Sequence, residues 1–246
     1  MGDVLKQAPW INVKNGIIKN TEGKVNMADF TWSYSSLKQY ENCPKQYYEV
    51  KVLQNFITEP TPQMVYGTEV HEALELYVKE GKELAKNYQR FKKMVDSLLA
   101  ISGEKHTEFK MALTKKLEPC DFEDQKRWVR GVADLVIIDG DQAYVIDYKT
   151  GSNKYPDPKQ LRLMSLMVFV HFPEVNSIKA GLLFVLKNSF IQESYTRDDI
   201  YKSWKSFDQS LTRLTNSYDT NEWIPNPTPL CGWCPVDTCE HHKPRR

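Results

Sequence analysis

The sequence predicts an α/β protein in which a small mixed β-sheet is flanked by helices on both faces. The first observation behind this is order: apolar residues recur at helical spacing before position 100, then switch to a two-residue period in three successive segments. The second is that a helix, a strand and a helix follow, which a sheet covered on both faces accommodates. The third is size. With 246 residues and 41% hydrophobic content, the chain can bury one sizeable core without covalent staples.

Residues 1–32 read as an N-terminal arm or hairpin, with turn signals at Asn15-Gly16 and Glu22-Gly23. Helical spacing begins at Ser33, a candidate N-cap, and runs to about Leu53, with a kink or restart at Pro44. After the Pro60/Pro62 break, Met64 to Lys79 is amphipathic, with Val70, Ala73, Leu74, Tyr77 and Val78 on one side. Residues 82–100 are expected to form another helix, so that about 80–104 is a helical insertion. Glu108–Leu117, Trp128–Ile138 and Ala143–Lys149 read as strands, the last two joined by the tight-turn sequence Asp139-Gly140-Asp141. Asp157–Phe172 follows as a helix, Ile178–Leu186 as a buried strand and Asp198–Tyr218 as a long helix. Residues 33–220 thus form the main domain. The remaining 221–246 carry five prolines and three cysteines without a period, so something other than a packed face must order them.

Lys and Arg number 33 against 32 for Asp and Glu, a net charge of +1 that excludes a uniformly basic nucleic-acid coat. Any polyanion must be held by a local patch. One lies between Lys79 and Lys116, where ten basic residues face five acidic ones, interleaved with Tyr88 and Phe91. No apolar run reaches the roughly 18–20 residues of a membrane span, and the first residues lack a basic leader followed by an apolar stretch. The expectation is a non-secreted protein of a reducing cytoplasm, where cysteines serve as metal ligands or core residues more often than as disulfides.

The strand Val145-Ile146-Asp147-Tyr148-Lys149 puts Asp147 and Lys149 on one face by its two-residue period. In the preceding strand Asp134 interrupts the apolar run Val132–Ile138, where an unpaired carboxylate would be costly. Two adjacent antiparallel strands would bring the two acids together, and a hard divalent ion would relieve their repulsion. Mg²⁺ or Mn²⁺ on carboxylates, with a lysine beside it, is chemistry suited to phosphodiester hydrolysis. An ordinary ion pair of Lys149 with Asp147 or Asp134 is the bland alternative.

The series Gly131-Val132-Ala133-Asp134, then Asp147-Tyr148-Lys149-Thr150-Gly151, then Gln160, resembles the PD-(D/E)xK nuclease superfamily, and within it the RecB-like nucleases. Gly67-Thr68-Glu69-Val70-His71-Glu72 resembles the first motif of that group. The resemblance implies a restriction-endonuclease-like core and a DNA exonuclease acting on single-stranded or frayed ends, leaving 5′-phosphate and 3′-hydroxyl. It makes Asp134, Asp147, Lys149 and Gln160 catalytic. His71, Asp134, Asp147 and the Tyr148 backbone carbonyl become metal ligands, with Glu108 as a supporting acid. Gln160 matches a Gln-x-x-x-Tyr motif, but Met164 stands where the tyrosine is expected. Arg127, Arg130 and Arg162 are candidates for contact with DNA.

Cys231, Cys234 and Cys239 give a C-x2-C-x4-C cluster, one ligand short of a tetrahedral site. Cys43, in Gln39-Tyr40-Glu41-Asn42-Cys43-Pro44, resembles the upstream cysteine of iron–sulfur nucleases such as the AddB nuclease domain, the CRISPR-associated adaptation exonucleases and phage exonucleases. That resemblance implies a 4Fe-4S cluster joining the N- and C-terminal parts, with 221–246 as a clasp. Zinc held by the tail cysteines with Cys43, His241 or His242 is the competing reading, and Cys120 is left as a spare thiol. Against the exonuclease stand a non-catalytic DNA-binding or scaffold subunit on a nuclease fold and a zinc-binding endonuclease. A protein partner in a recombination, replication or adaptation complex, in a bacterial or phage-infected cell, is a further expectation.

Overall fold

A computed structural model describes residues 30–154 and 156–243. The expected arm or hairpin therefore lies outside the described residues up to position 29. The helices are α1 (Tyr34–Asn42), α2 (Pro44–Tyr47), α3 (Pro62–Glu80), α4 (Lys92–Leu99), α5 (Lys159–His171) and α6 (Ile200–Thr220). The strands are β1 (Glu104–Thr114), β2 (Pro119–Cys120), β3 (Arg127–Asp139), β4 (Gln142–Lys149), β5 (Ser177–Phe184) and β6 (Ser189–Thr196). They form one mixed six-stranded sheet in the order β2-β1-β3-β4-β5-β6, in which only β4 and β5 run parallel. Among the described residues, no helix is long and apolar enough to cross a membrane.

The chain divides into two compact units, one of residues 60–204 and one of the segments up to Glu59 and from Lys205. In the first unit, α3 and α4 cover the sheet face that carries Leu135, Ile137, Ile146 and Tyr148. Val70, Leu74, Phe91 and Val95 complete this buried cluster. α5 lies on the opposite face. Its residues Leu161 and Leu163–Phe169 are all buried, as expected of a helix that is apolar all round. Met164 packs so closely over Gly131 that a β-carbon there would sit 2.9 Å from its Sδ. Met164 stands at the position where the resemblance leads one to expect a tyrosine.

Residues 82–88, expected to be helical, are not. Gly81, at φ +68, ends α3 in the left-handed conformation that glycine adopts without penalty. The chain then drops Leu84, Tyr88 and Phe91 into the core, and the Gln89 side-chain amide donates to the Leu84 carbonyl at 2.6 Å. β6 is also additional to the expected elements. It is an edge strand with a largely half-exposed pattern, and Phe190 lies over Gly181 of β5, where a side chain would collide with the ring. Arg197, just beyond β6, donates to the carbonyls of Phe169 (3.0 Å), Phe172 (2.9 Å) and Val175 (2.8 Å), closing the C-terminal end of α5.

In the second unit, Ser33 caps α1 with a reciprocal hydrogen-bond box, and Cys43 breaks the helix before Pro44, as the proline requires. Tyr40 and Tyr47 bond Ser217 (2.9 Å) and Tyr218 (3.1 Å) of α6. Trp223 stacks on Tyr48 at 4.7 Å and meets the edge of Tyr218 at 5.0 Å. Aromatic packing thus fixes the start of the aperiodic tail.

Replacing Arg197 with Met should leave the carbonyls of Phe169, Phe172 and Val175 without their charged donor. The loss should be about 1–3 kcal/mol, read as a lower urea midpoint with an unchanged m-value.

Candidate active site and cysteine recess

The site lies where β3 and β4 part. Their ladder stops at Leu135 opposite Ile146, so the next facing pair, Asp134 and Asp147, is free of ladder bonds. The Asp134 carboxylate takes over by accepting the Tyr148 amide at 2.6 Å. On the other side of β3 the ladder with β1 holds Thr107 opposite Leu135 and Phe109 opposite Ala133 but skips the pair between them. That pair is Glu108 and Asp134. Glu108 has φ +46, a strained setting for a residue with a β-carbon, and it brings a second carboxylate toward Asp134. α3 supplies the third group. With Val70 and Leu74 fixed in the core, the neighbouring His71 places its Nδ1 3.4 Å from Asp134 Oδ2.

The ligand atoms of His71, Glu108 and Asp134 all lie within 4.8 Å of one another. They open onto a cleft of about 850 Å³ whose walls include Tyr66, Gly67, Thr68, Thr150 and Leu186. One imidazole nitrogen and two carboxylates form a donor set that suits a divalent cation. Charge on these groups points the same way. Burial and the Asp134 carboxylate raise the Glu108 carboxyl above the usual range. Burial opposes charging of His71, but Asp134 outweighs it and holds the imidazole above its usual value.

Asp147 forms a second, deeper group. It is 5% exposed, and its Oδ2 lies 2.7 Å from Lys149 Nζ. Gln160, in the first turn of α5, donates through Nε2 to Asp147 Oδ1 at 2.5 Å and accepts from Lys149 Nζ at 2.9 Å. Burial first, then Asp134, push the Asp147 carboxyl up to about 6, with Lys149 offsetting only part. The structure therefore gathers six of the sequence-selected residues into two adjacent groups. Asp147 is not among the side chains within 4.8 Å of one another; Glu108 is.

The selected arginines stand apart from the cleft wall. Arg127 donates to the carbonyls of Glu123 and Asp124, each at 2.8 Å. Arg130 covers the Phe122 ring at 5.3 Å, and Arg162 approaches Tyr195. Part of the basic strip is paired as well: Lys92 meets Asp96 at 2.7 Å, and Arg90 donates to the Tyr66 hydroxyl at 3.0 Å. Tyr66, Thr68 and Thr150 were not singled out from sequence. The signal available was their position within or immediately beside the motifs of His71 and Lys149.

In the other unit, Cys43, Cys231, Cys234 and Cys239 line one recess together with Lys45, Asn226, His241 and His242. Burial raises the Cys234 thiol, and the other three cysteines add to the effect. Cys120 belongs to the 60–204 unit.

The sequence matches the PD-(D/E)XK nuclease superfamily over residues 31–239. No curated protein matches it. Among solved structures it is similar to SSO0001, at 14% identity and a TM-score of 0.44, covering 92% of this chain and 90% of that one. It is also similar to a protein of Eubacterium rectale described as a candidate exonuclease, at 11% identity and a TM-score of 0.47, covering 88% and 89%.

Asp147 supplies a pH test. Because folding raises its pKa, the cation-free folded state binds a proton that the unfolded state releases, and this group's contribution to stability falls as pH rises from about 4 to about 6. The stability of Asp147→Asn relative to wild type should therefore improve across that range in EDTA. Mn²⁺ should raise the wild-type melting temperature more at about pH 7 than at about pH 5; equal shifts would contradict this account.

Proposed function

Because the chain belongs to the PD-(D/E)XK nuclease superfamily, we propose that it is a Mg²⁺- or Mn²⁺-dependent DNA exonuclease acting on single-stranded or frayed ends. The observation that carries the reading is the convergence of His71, Glu108 and Asp134 at the cleft, with Asp147 and Lys149 directly behind them. The exonuclease assignment and the 5′-phosphate product rest on the resemblance of the sequence order His71, Asp134, Asp147, Lys149 to the RecB-like nucleases.

The bound cation would supply Lewis-acid stabilisation of phosphoryl charge and a more acidic water. Asp134 holds one carboxylate oxygen toward His71 while the Tyr148 amide fixes its orientation. Asp147 holds the Lys149 ammonium beside the facing carboxylates, and Gln160 bridges both so that neither rotates away. An ammonium kept there can hold a proton donor toward phosphate oxygens and oppose the charge that builds on them. Thr150 and Tyr66 line the path a strand would take to these groups.

The four-cysteine recess is read as the site of a structural 4Fe-4S cluster. A single zinc ion with Zn–S bonds of about 2.3 Å holds its sulfurs about 3.8 Å apart. Among the described residues, the cysteines supply no three ligand atoms within 4.8 Å of one another, although all four share the recess. The choice of cluster over zinc rests on the resemblance of the Cys43 segment to the iron–sulfur nucleases, whose four thiolates are spread over several irons. A protein partner that delivers DNA ends in a recombination, replication or adaptation complex is part of this reading.

End-labelled linear and circular DNA, single- and double-stranded, should separate the readings. Asp134→Ala and Lys149→Ala should each reduce metal-dependent nucleotide release by about 10²–10³-fold while DNA binding persists. Cleavage of closed circles would refute the exonuclease, and absence of any release would favour a binding subunit. Protein purified without oxygen should be brown and contain iron and labile sulfide, and Cys239→Ala should lose both. Colourless, zinc-containing protein would overturn the cluster.

A further inference from the structure

We infer that the segment Pro225-Asn226-Pro227-Thr228-Pro229 is a strap that hydrogen-bonds the cysteine sulfurs through its backbone and so sets the electronic properties of the group they hold. The inference rests on the cluster reading above. Its origin is visible in the sequence. Alternate prolines strip the strap of amide protons except at Asn226 and Thr228, and both remaining amides are aimed at sulfur. Asn226 N–H donates to Cys43 Sγ at 3.5 Å and Thr228 N–H to Cys231 Sγ at 3.3 Å. One is the upstream cysteine and the other the first of the tail, so the strap touches both sequence segments that build the recess.

Two further contacts hold the strap in place. The Asn226 side-chain amide donates to the Asn42 carbonyl at 2.9 Å, next to Cys43. Thr228 caps the short helical turn Pro229–Trp233: its Oγ1 accepts from the Leu230 amide at 3.2 Å, while Cys231, three residues on, accepts the Thr228 amide. This is a capping box in which a cysteine sulfur stands where a carboxylate usually does. Proline fixes φ in the residues between, so the donors keep their direction at little entropic cost.

An N–H donor draws charge from a thiolate, and a reduced cluster carries one more negative charge than an oxidised one. Such bonds therefore favour the reduced state and raise the reduction potential. The strap residues are positioning residues, not ligands.

The test replaces the Thr228 amide by an ester, using the α-hydroxy analogue of threonine in the full chain. The same replacement at Leu230, whose amide goes to an oxygen, is the control. With the cluster present, the potential measured by dithionite titration under anaerobic conditions should fall at 228 by about 59 mV, a tenfold change in the one-electron equilibrium, and stay unchanged at 230. Asn226→Ala should shift it in the same direction. Loss of the cluster from the 228 ester alone would also support the strap. Equal potentials, or equal loss, in the two esters would overturn it. Wild-type protein without iron and sulfide would overturn the cluster reading and the strap together, whereas iron-loaded protein indifferent to the 228 ester would overturn the strap only.

Discussion

Two carboxylates, Asp134 and Asp147, face each other where the central strands separate, and much of the 60–204 unit is arranged to make that tolerable. Repulsion between them at low local dielectric would expel one of them or keep it protonated unless opposing dipoles and charges were at hand. The Tyr148 amide, the Lys149 ammonium and the Gln160 amide supply these from three directions. α5 must be where it is for Gln160 to reach, and its burial and the Arg197 clamp fix it there. α3 must present His71 beside its buried stripe, because that imidazole is the remaining partner of Asp134. The sheet face and the two helices are thus solutions to one electrostatic problem.

The cysteine recess meets a different need. Residues 221–243 have few apolar side chains to bury, and hydrophobic burial there is confined to a few residues, chiefly Trp223 and Val236. Four sulfurs converging from Cys43 and from the tail would order this segment through ligand bonds, and metal-linked folding is a sufficient source of order where a core is too small.

Much of this was legible in the sequence, and for physical reasons. Alternation in β3 and β4 placed Asp134 and the Asp147/Lys149 pair on strands, and Pro44 and the Ser33 cap marked the break and start of the first helices. What escaped depended on backbone geometry or on partners distant in the chain. Glu108 in an extended stretch gives no hint of a left-handed φ, and its weight in the site comes from that turn. Residues 82–88 carry helix-forming side chains, yet core demand for Leu84, Tyr88 and Phe91 overrides local preference. β6 alternates in burial but not in hydrophobicity: Ser189 and Glu193 share the inward side with Ile191 and Tyr195, while Phe190 is on the exposed side. Arg127 and Arg130, attractive as phosphate contacts by position, are occupied by the Phe122–Asp124 loop, a commitment that no local pattern reveals.

The backbone at Glu108 sets two selective pressures against each other at a single residue. A glycine there would relieve the left-handed φ and could make the folded state easier to reach, yet it would remove a carboxylate from the group that includes His71 and Asp134. A chain optimised for robustness alone would drift toward that exchange, and one held to its chemistry would carry the strain as a standing cost. Thermal robustness and cation affinity should therefore trade off at this position, and stabilised variants of the fold obtained without a functional screen would tend to lose the acid first.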